Sequence, residues 1–289
     1  MTVLPTHVGV LGGGRMGAGI AHAFLLAGSR VTIVERDRQA ADAAAARVRA
    51  DVERSIVRDR ERGSDGAQTA DAVAALTVAT DASVFADCPL VVEAVPEDRA
   101  LKTASLERAE SAMPPDGILA SNTSSISIDD LAVGLRRPRQ FLGLHFFNPV
   151  PASLLVEIVA GAGTDPDVVA RAREWVTALG KTPVVVRDAP GFASSRLGVL
   201  LGLEAIRMVE EGVAEPADID AAMVLGYRHP LGPLRTTDLV GLDVRLGIAV
   251  ELHARLGERF APPEMLRRMV AEGRLGRKSG RGFYEWSDE

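Results

Sequence analysis

The chain has 289 residues, 47% hydrophobic, 25% charged and 4% aromatic, which is globular material long enough for two domains. With 33 basic against 39 acidic side chains its formal net charge is −6, which argues against nucleic-acid binding through a global positive field. A single cysteine, Cys88, excludes a disulfide framework and a cysteine-based zinc site, and no metal is expected. The apolar run at 197–203 is bounded by Arg196 and Glu204, far short of the roughly 20 residues a membrane helix needs. The N-terminus lacks the charged start and small-residue cleavage site of a secretory signal. A soluble cytoplasmic protein, with neither membrane nor nucleic acid as partner, is the expectation. Only Lys102, Lys181 and Lys278 are lysine, a usage that fits a GC-rich genome and makes each one worth locating.

In chain order, Val8, Val10 and Leu11 form a short apolar run, a glycine cluster follows, and Ile20, Ala23, Phe24 and Ala27 share one helical face. Gly28 ends that helix and residues 31–34 supply a second β-branched run, so strand, helix and strand occupy about 30 residues. Val48, Val52 and Ile56 recur every fourth position in an alanine-rich stretch, which predicts a long surface helix over 39–56. Further strands are predicted at 90–95, 118–121, 141–147, 155–159 and 183–187, with helices between several of them. From Phe192 onward the patterns are helical, at 204–213, 219–225 and 244–256, until a short strand-like tail at 282–286. These features predict an α/β, Rossmann-type doubly wound sheet over 1–187 followed by an all-helical domain over 188–289.

Gly12, Gly14 and Gly17 form a G-x-G-x-x-G motif where the first strand hands over to the first helix. The first glycine permits a tight turn, the second lets backbone approach a pyrophosphate, and the third allows close helix–strand packing. The helix N-terminus would add unpaired N–H groups and a positive dipole. Glu35, at the end of the next strand, would accept from a ribose 2′-hydroxyl and repel a 2′-phosphate, which favours NAD; Arg36 and Arg38 leave NADP open.

The run 121–125 (SNTSS), the run 143–149 (GLHFFNP) and the stretch 155–158 (LVEI) resemble the 3-hydroxyacyl-CoA dehydrogenase family, especially its short bacterial 3-hydroxybutyryl-CoA members. The likeness continues through 92–97, 189–192, 229–233 and 275–284, in order and over nearly the whole chain. It implies that His145 is the general base and acid and that Glu157 orients it. Such a pair suits alcohol oxidation, because imidazole titrates near neutrality and a carboxylate on its other nitrogen fixes the tautomer. The resemblance also places Ser124 and Asn148 near the substrate oxygen and the nicotinamide, and Glu97, Lys102 and Lys278 at the cofactor. Glu93 is read as structural.

For the phosphates of an acyl-CoA the family uses a serine and a lysine seven residues apart. Ser55 and Arg62 have that spacing, with arginine in the lysine's place, although a plain solvated helix face fits equally well. The resemblance departs at Ser195, where the family carries an asparagine near the acyl group. The implied activity is NAD-dependent interconversion of L-3-hydroxyacyl-CoA and 3-oxoacyl-CoA by a homodimer joined through the helical domain. Two alternatives stay open: the same chemistry on a carrier-protein thioester or a free hydroxy or sugar acid, and a non-catalytic cofactor-binding structural protein.

Overall fold

Short strands that are apolar on both faces belong in a sheet covered by helices on both sides. The computed structural model, in which residues 4–61 and 68–286 are described, shows such a sheet. The chain divides into two compact units, Met1–Asp188 and Ala189–Glu289.

The first unit runs β1 (His7–Leu11), α1 (Arg15–Leu26), β2 (Arg30–Val34), α2 (Arg38–Glu61), α3 (Gln68–Ala74), β3 (Leu76–Ala79), β4 (Leu90–Glu93), α4 (Arg99–Ala112) and β5 (Ile118–Ser121). It continues through α5 (Ile128–Ala132), β6 (Phe141–Phe146), β7 (Leu155–Ala160), α6 (Pro166–Ala178) and β8 (Thr182–Arg187). The sheet order is β3-β2-β1-β4-β5-β6-β7-β8, parallel except where β7 runs against β6. The first six strands thus have the order of a dinucleotide fold. Val8, Val10, Ile33, Leu90, Val92 and Ile118 are fully buried, each side chain contributing roughly 1.5–3 kcal/mol of burial free energy. Register pairs Leu11 with Val34 and with Glu93, and Glu93 with Ser121, so the carboxyl ends of β1, β2, β4 and β5 lie level. The loops that leave them are therefore gathered along one edge of the sheet.

The second unit contains α7 (Ser194–Glu210), α8 (Pro216–Ala221), α9 (Pro233–Val240), α10 (Leu242–Leu256) and α11 (Glu264–Ala271). Its core holds Val199, Leu203, Ile206, Leu234, Leu242, Leu252, Phe260 and Leu266.

Three local expectations differ from the structure. Helix α7 begins ten residues before the predicted start at Glu204, through Gly198 and Gly202, whose low helix propensity hides it. The strand-like tail at 282–286 is not a strand: Arg281 makes isolated bridges to Gly276 and Glu285. Strand β3, three residues of intermediate burial and an exposed Thr77, carries too little alternation to stand out.

Candidate active site

Antiparallel pairing of β6 and β7 sets His145 directly opposite Glu157, which puts both side chains on the same face of the sheet. His145 Nδ1 lies 2.8 Å from Glu157 Oε2, with the residues 4% and 1% exposed. The Phe147 ring packs against the imidazole with centroids 4.4 Å apart. A carboxylate so placed favours the tautomer with the proton on Nδ1, which leaves Nε2 as the nitrogen that exchanges a proton. Asn122 stands beside this pair and the sequence reading passed over it. Its Oδ1 accepts from the backbone N–H of Phe146 at 2.8 Å, tying the end of β5 to the strand that carries His145.

A second cluster fills the ends of β4 and β5. The Lys102 ammonium donates to Glu93 Oε1 at 2.8 Å, to Glu93 Oε2 at 3.1 Å and to the Val95 carbonyl at 3.1 Å, and lies 3.4 Å from Glu97 Oε2. The Ser121 hydroxyl donates to Glu93 Oε2 at 2.5 Å. Glu97 Oε1 accepts from the Thr123 and Ser125 hydroxyls and from the backbone N–H groups of Ser124 and Ser125, all within 3.1 Å. Burial pushes the Glu93 carboxyl above its usual range despite Lys102 and its hydrogen bonds. For Glu97 burial pulls the same way, but Lys102 and the 123–125 donors outweigh it and hold the carboxyl below its usual range. Lys102 is therefore no solvated cation: it is 1% exposed and its ammonium is saturated by local oxygens.

The glycine loop follows β1. Gly12 has φ +96°, a backbone conformation that side chains rarely adopt. A Cβ on Gly17 would stand 1.8 Å from the Gly12 carbonyl oxygen, so only glycine lets the helix start this close to the turn. Gly14 caps α1 with no side-chain hydrogen bond, no acid lies in the first turn, and a Cβ on Gly14 would meet nothing within 4 Å. This open helix terminus fits a pyrophosphate. Glu35 reaches back to the loop, accepting from Gly13 N at 2.6 Å and from Arg36 N at 3.2 Å. Arg36 pairs with Asp37 and Arg38 with Asp42, so both arginines have carboxylate partners of their own.

Asn148 and Ser55 line a groove of about 690 Å³ in the first unit, together with Arg15, Arg47, Arg54 and Pro149. Arg15, Arg47 and Arg54, missed from sequence, come from two helices, and only the fold makes them neighbours. Arg62 lies outside the described residues. In the second unit Ser195 sits in the first turn of α7, and Lys278 pairs with Asp243 Oδ2 at 2.6 Å. Lys181 donates to the carbonyls of Val150 and Ser153, both at 2.6 Å, bracing the connection between β6 and β7.

A doubly wound sheet with a glycine turn, an open helix terminus and a buried His–Glu pair defines a dinucleotide-dependent oxidoreductase. Two family descriptions match: "3-hydroxyacyl-CoA dehydrogenase, NAD binding domain" over residues 7–189 and "3-hydroxyacyl-CoA dehydrogenase, C-terminal domain" over residues 191–286. The chain is 44% identical over 289 residues to the 3-hydroxybutyryl-CoA dehydrogenase of Mycobacterium tuberculosis, covering 97% of this chain and 98% of that one. It is 42% identical over 281 residues to the "Probable 3-hydroxybutyryl-CoA dehydrogenase" of Deinococcus radiodurans, covering 96% and 99%. The crystal structure of M. tuberculosis FadB2 superposes with a TM-score of 0.93 at 42% identity, covering 99% of this chain and all of that one. The chain belongs to the 3-hydroxyacyl-CoA dehydrogenase family.

Proposed function

We propose that the chain interconverts an L-3-hydroxyacyl-CoA and its 3-oxoacyl-CoA, with NAD as the redox partner. The observation that carries this reading is the buried His145–Glu157 pair at 2.8 Å in a member of this family. The chemistry NAD supplies when bound is acceptance of the hydride from the alcohol carbon. His145 takes the hydroxyl proton at Nε2 and returns it in the reverse direction. Glu157 accepts from Nδ1–H and stabilises the imidazolium, an effect realised in the transition state. Ser124 and Asn148 hydrogen-bond the oxygen that becomes the carbonyl and hold the reacting geometry.

Gly12, Gly14 and Gly17 bring the backbone to the pyrophosphate, and Glu35 accepts from the ribose. The pairing of Arg36 and Arg38 with acids supports NAD over NADP. Glu97 and Lys102 act at the cofactor side by holding the 123–125 loop that bears Ser124. Ser55, with the arginines of the 690 Å³ groove, receives the phosphate end of the CoA. Ser195 lies at the acyl group.

A homodimer through the helical unit is supported by its exposed apolar residues, among them Leu197, Leu225, Tyr227 and Val250. A cytoplasmic site of action is supported by the single cysteine, Cys88, too few for a disulfide framework. Among the described residues no helix is long and apolar enough to cross a membrane.

The test is NADH oxidation with acetoacetyl-CoA, with His145→Gln as control. Turnover by the wild type that falls by about 10²-fold or more in the variant is the expected result. Equal rates for the two would refute the assignment.

A further inference from the structure

At the amino end of β1, the opposite end of the strand from the glycine turn, three side chains with metal-binding atoms meet. His7 Nδ1, an Asp87 carboxylate oxygen and Cys88 Sγ all lie within 4.8 Å of one another. The packing that gathers them turns on Gly9. His7 and Gly9 share one face of β1, and a Cβ on Gly9 would stand 2.7 Å from the Phe85 ring. The missing side chain lets the buried Phe85 lie against the strand, and the turn that follows brings Asp87 and Cys88 to His7. Cys88 N donates to the Phe85 carbonyl at 3.0 Å, which fixes that turn.

His7 is held as a metal ligand would be. Its side chain is 9% exposed, and Nε2 lies 2.8 Å from Thr32 Oγ1 in β2. A hydroxyl that accepts from Nε2–H leaves the lone pair on Nδ1, the usual outer-sphere support of a coordinating histidine. Nδ1 stands 2.9 Å from Asp87 Oδ1 yet lacks the alignment of a hydrogen bond, so this buried nitrogen has no donor–acceptor partner. A nitrogen lone pair beside a carboxylate is repulsive unless a cation lies between them. With bonds of about 2.0–2.3 Å, two ligands of a tetrahedral zinc stand roughly 3.3–3.6 Å apart. Asp87 is exposed and free to make the small adjustment this asks. Arg30 Nη2 lies 3.3 Å from the other oxygen, Asp87 Oδ2, so Oδ1 is left for the ion. The Arg30 side chain is itself exposed, and solvent screens its repulsion of a cation.

We propose that His7 Nδ1, Asp87 Oδ1 and Cys88 Sγ bind a thiophilic divalent cation of the zinc class, with water as the fourth ligand. The ion clips the amino end of β1 to the turn before β4, and its role is structural, apart from the redox reaction. A single cysteine rules out a site built of several thiols, whereas a mixed nitrogen, oxygen and sulfur set needs only one. Burial pushes the Cys88 thiol up to about 12, so the ion must displace its proton to solvent. That selects a metal that takes sulfur as thiolate over magnesium or calcium.

The experiment uses tag-free protein stripped with a chelator. Co2+ added to the wild type is expected to bind at one equivalent and give a thiolate-to-cobalt charge-transfer band. Cys88 is the only thiol in the chain, so the band has one possible source. Zn2+ then displaces the cobalt and abolishes the band. Zn2+ held about 100-fold above its dissociation constant raises the melting temperature by roughly 5–11 °C. Cys88→Ser loses the band, and His7→Gln and Asp87→Asn each weaken binding by about tenfold or more. His253→Gln, at the exposed His253–Glu258 pair, binds as the wild type does. No band in the wild type with Co2+ in about tenfold excess overturns the site, and that result needs no variant to fold. A band of unchanged affinity in His7→Gln overturns the shared site, because the thiol then binds alone. A zinc-induced rise in melting temperature without a thiolate band places the ion elsewhere and overturns it as well.

Discussion

Replacing Lys102 by Met tests whether the 123–125 loop is held by electrostatics. The substitution keeps the length of the side chain and removes a charge that is 1% exposed. Glu93, with no exposed surface, then loses its only ion-pair partner among the described residues and the donor at 2.8 and 3.1 Å. Breaking one side of a buried pair costs about 3–5 kcal/mol, because the remaining charge stays uncompensated. For a unit of this size each kcal/mol moves the melting temperature by about 2–4 °C, so Lys102→Met is expected to melt roughly 6–20 °C lower. The double variant Glu93→Gln/Lys102→Met removes both charges and recovers most of that loss. Scanning calorimetry on wild type, both single variants and the double variant closes the cycle. A Lys102→Met protein melting within about 2 °C of wild type would refute the reasoning, as would a double variant no more stable than the single one. The same change withdraws the cation 3.4 Å from Glu97 Oε2, so kcat falls in the surviving folded fraction while the ratio of NADH to NADPH use is unchanged.

Glu157→Gln keeps the shape of the buried site and removes the charge that supports the imidazolium. Its kcat with acetoacetyl-CoA is expected to fall about 10²-fold or more while NADH binding by fluorescence is unchanged, and retained turnover would sink the orienting role. Glu35→Ser withdraws the carboxylate that meets a 2′-phosphate, so the preference for NADH over NADPH narrows by about tenfold in kcat/KM; an unaltered ratio counts against the role of Glu35. The folded-state pKa of Glu97 lies below its ordinary 4.5, so its stabilisation is complete above that value and is lost as pH falls through the folded value. Glu93, raised, acts in the opposite sense and contributes more favourably as pH falls. Glu97→Gln is therefore expected to show a smaller drop in melting temperature between about pH 5 and pH 3 than the wild type; an identical drop would show that Glu97 is not the group that titrates.

The features legible in the sequence are those written within a few residues of one another. The glycine turn, the β-branched runs and the four-residue spacing of Val48, Val52 and Ile56 are local signals, and each marks an element that formed. The His145–Glu157 pairing became readable through resemblance, since nothing in a twelve-residue separation says that two strands will lie antiparallel in that register. Features that depend on packing stayed hidden. The start of α7 is masked by Gly198 and Gly202, poor helix formers whose missing side chains are what admit Arg245. Glu93 and Lys102 meet only because α4 folds back on β4, and Arg15 joins Arg47 and Arg54 only because α1 lies beside α2.

The location of the cations decides how an acidic chain can hold an anionic substrate. A net charge of −6 gives no global attraction for a CoA thioester, so the grip must be local and arranged by the fold. The lysines are each engaged by local oxygens: Lys102 by Glu93, Lys181 by two backbone carbonyls and Lys278 by Asp243. Arginine suits the recognition of phosphate and carboxylate, because its planar fork stays charged where burial would strip the proton from an ammonium. Arg15, Arg47 and Arg54 line the groove of the first unit, and Arg47 is braced there by donating to the Gly13 carbonyl at 2.7 Å.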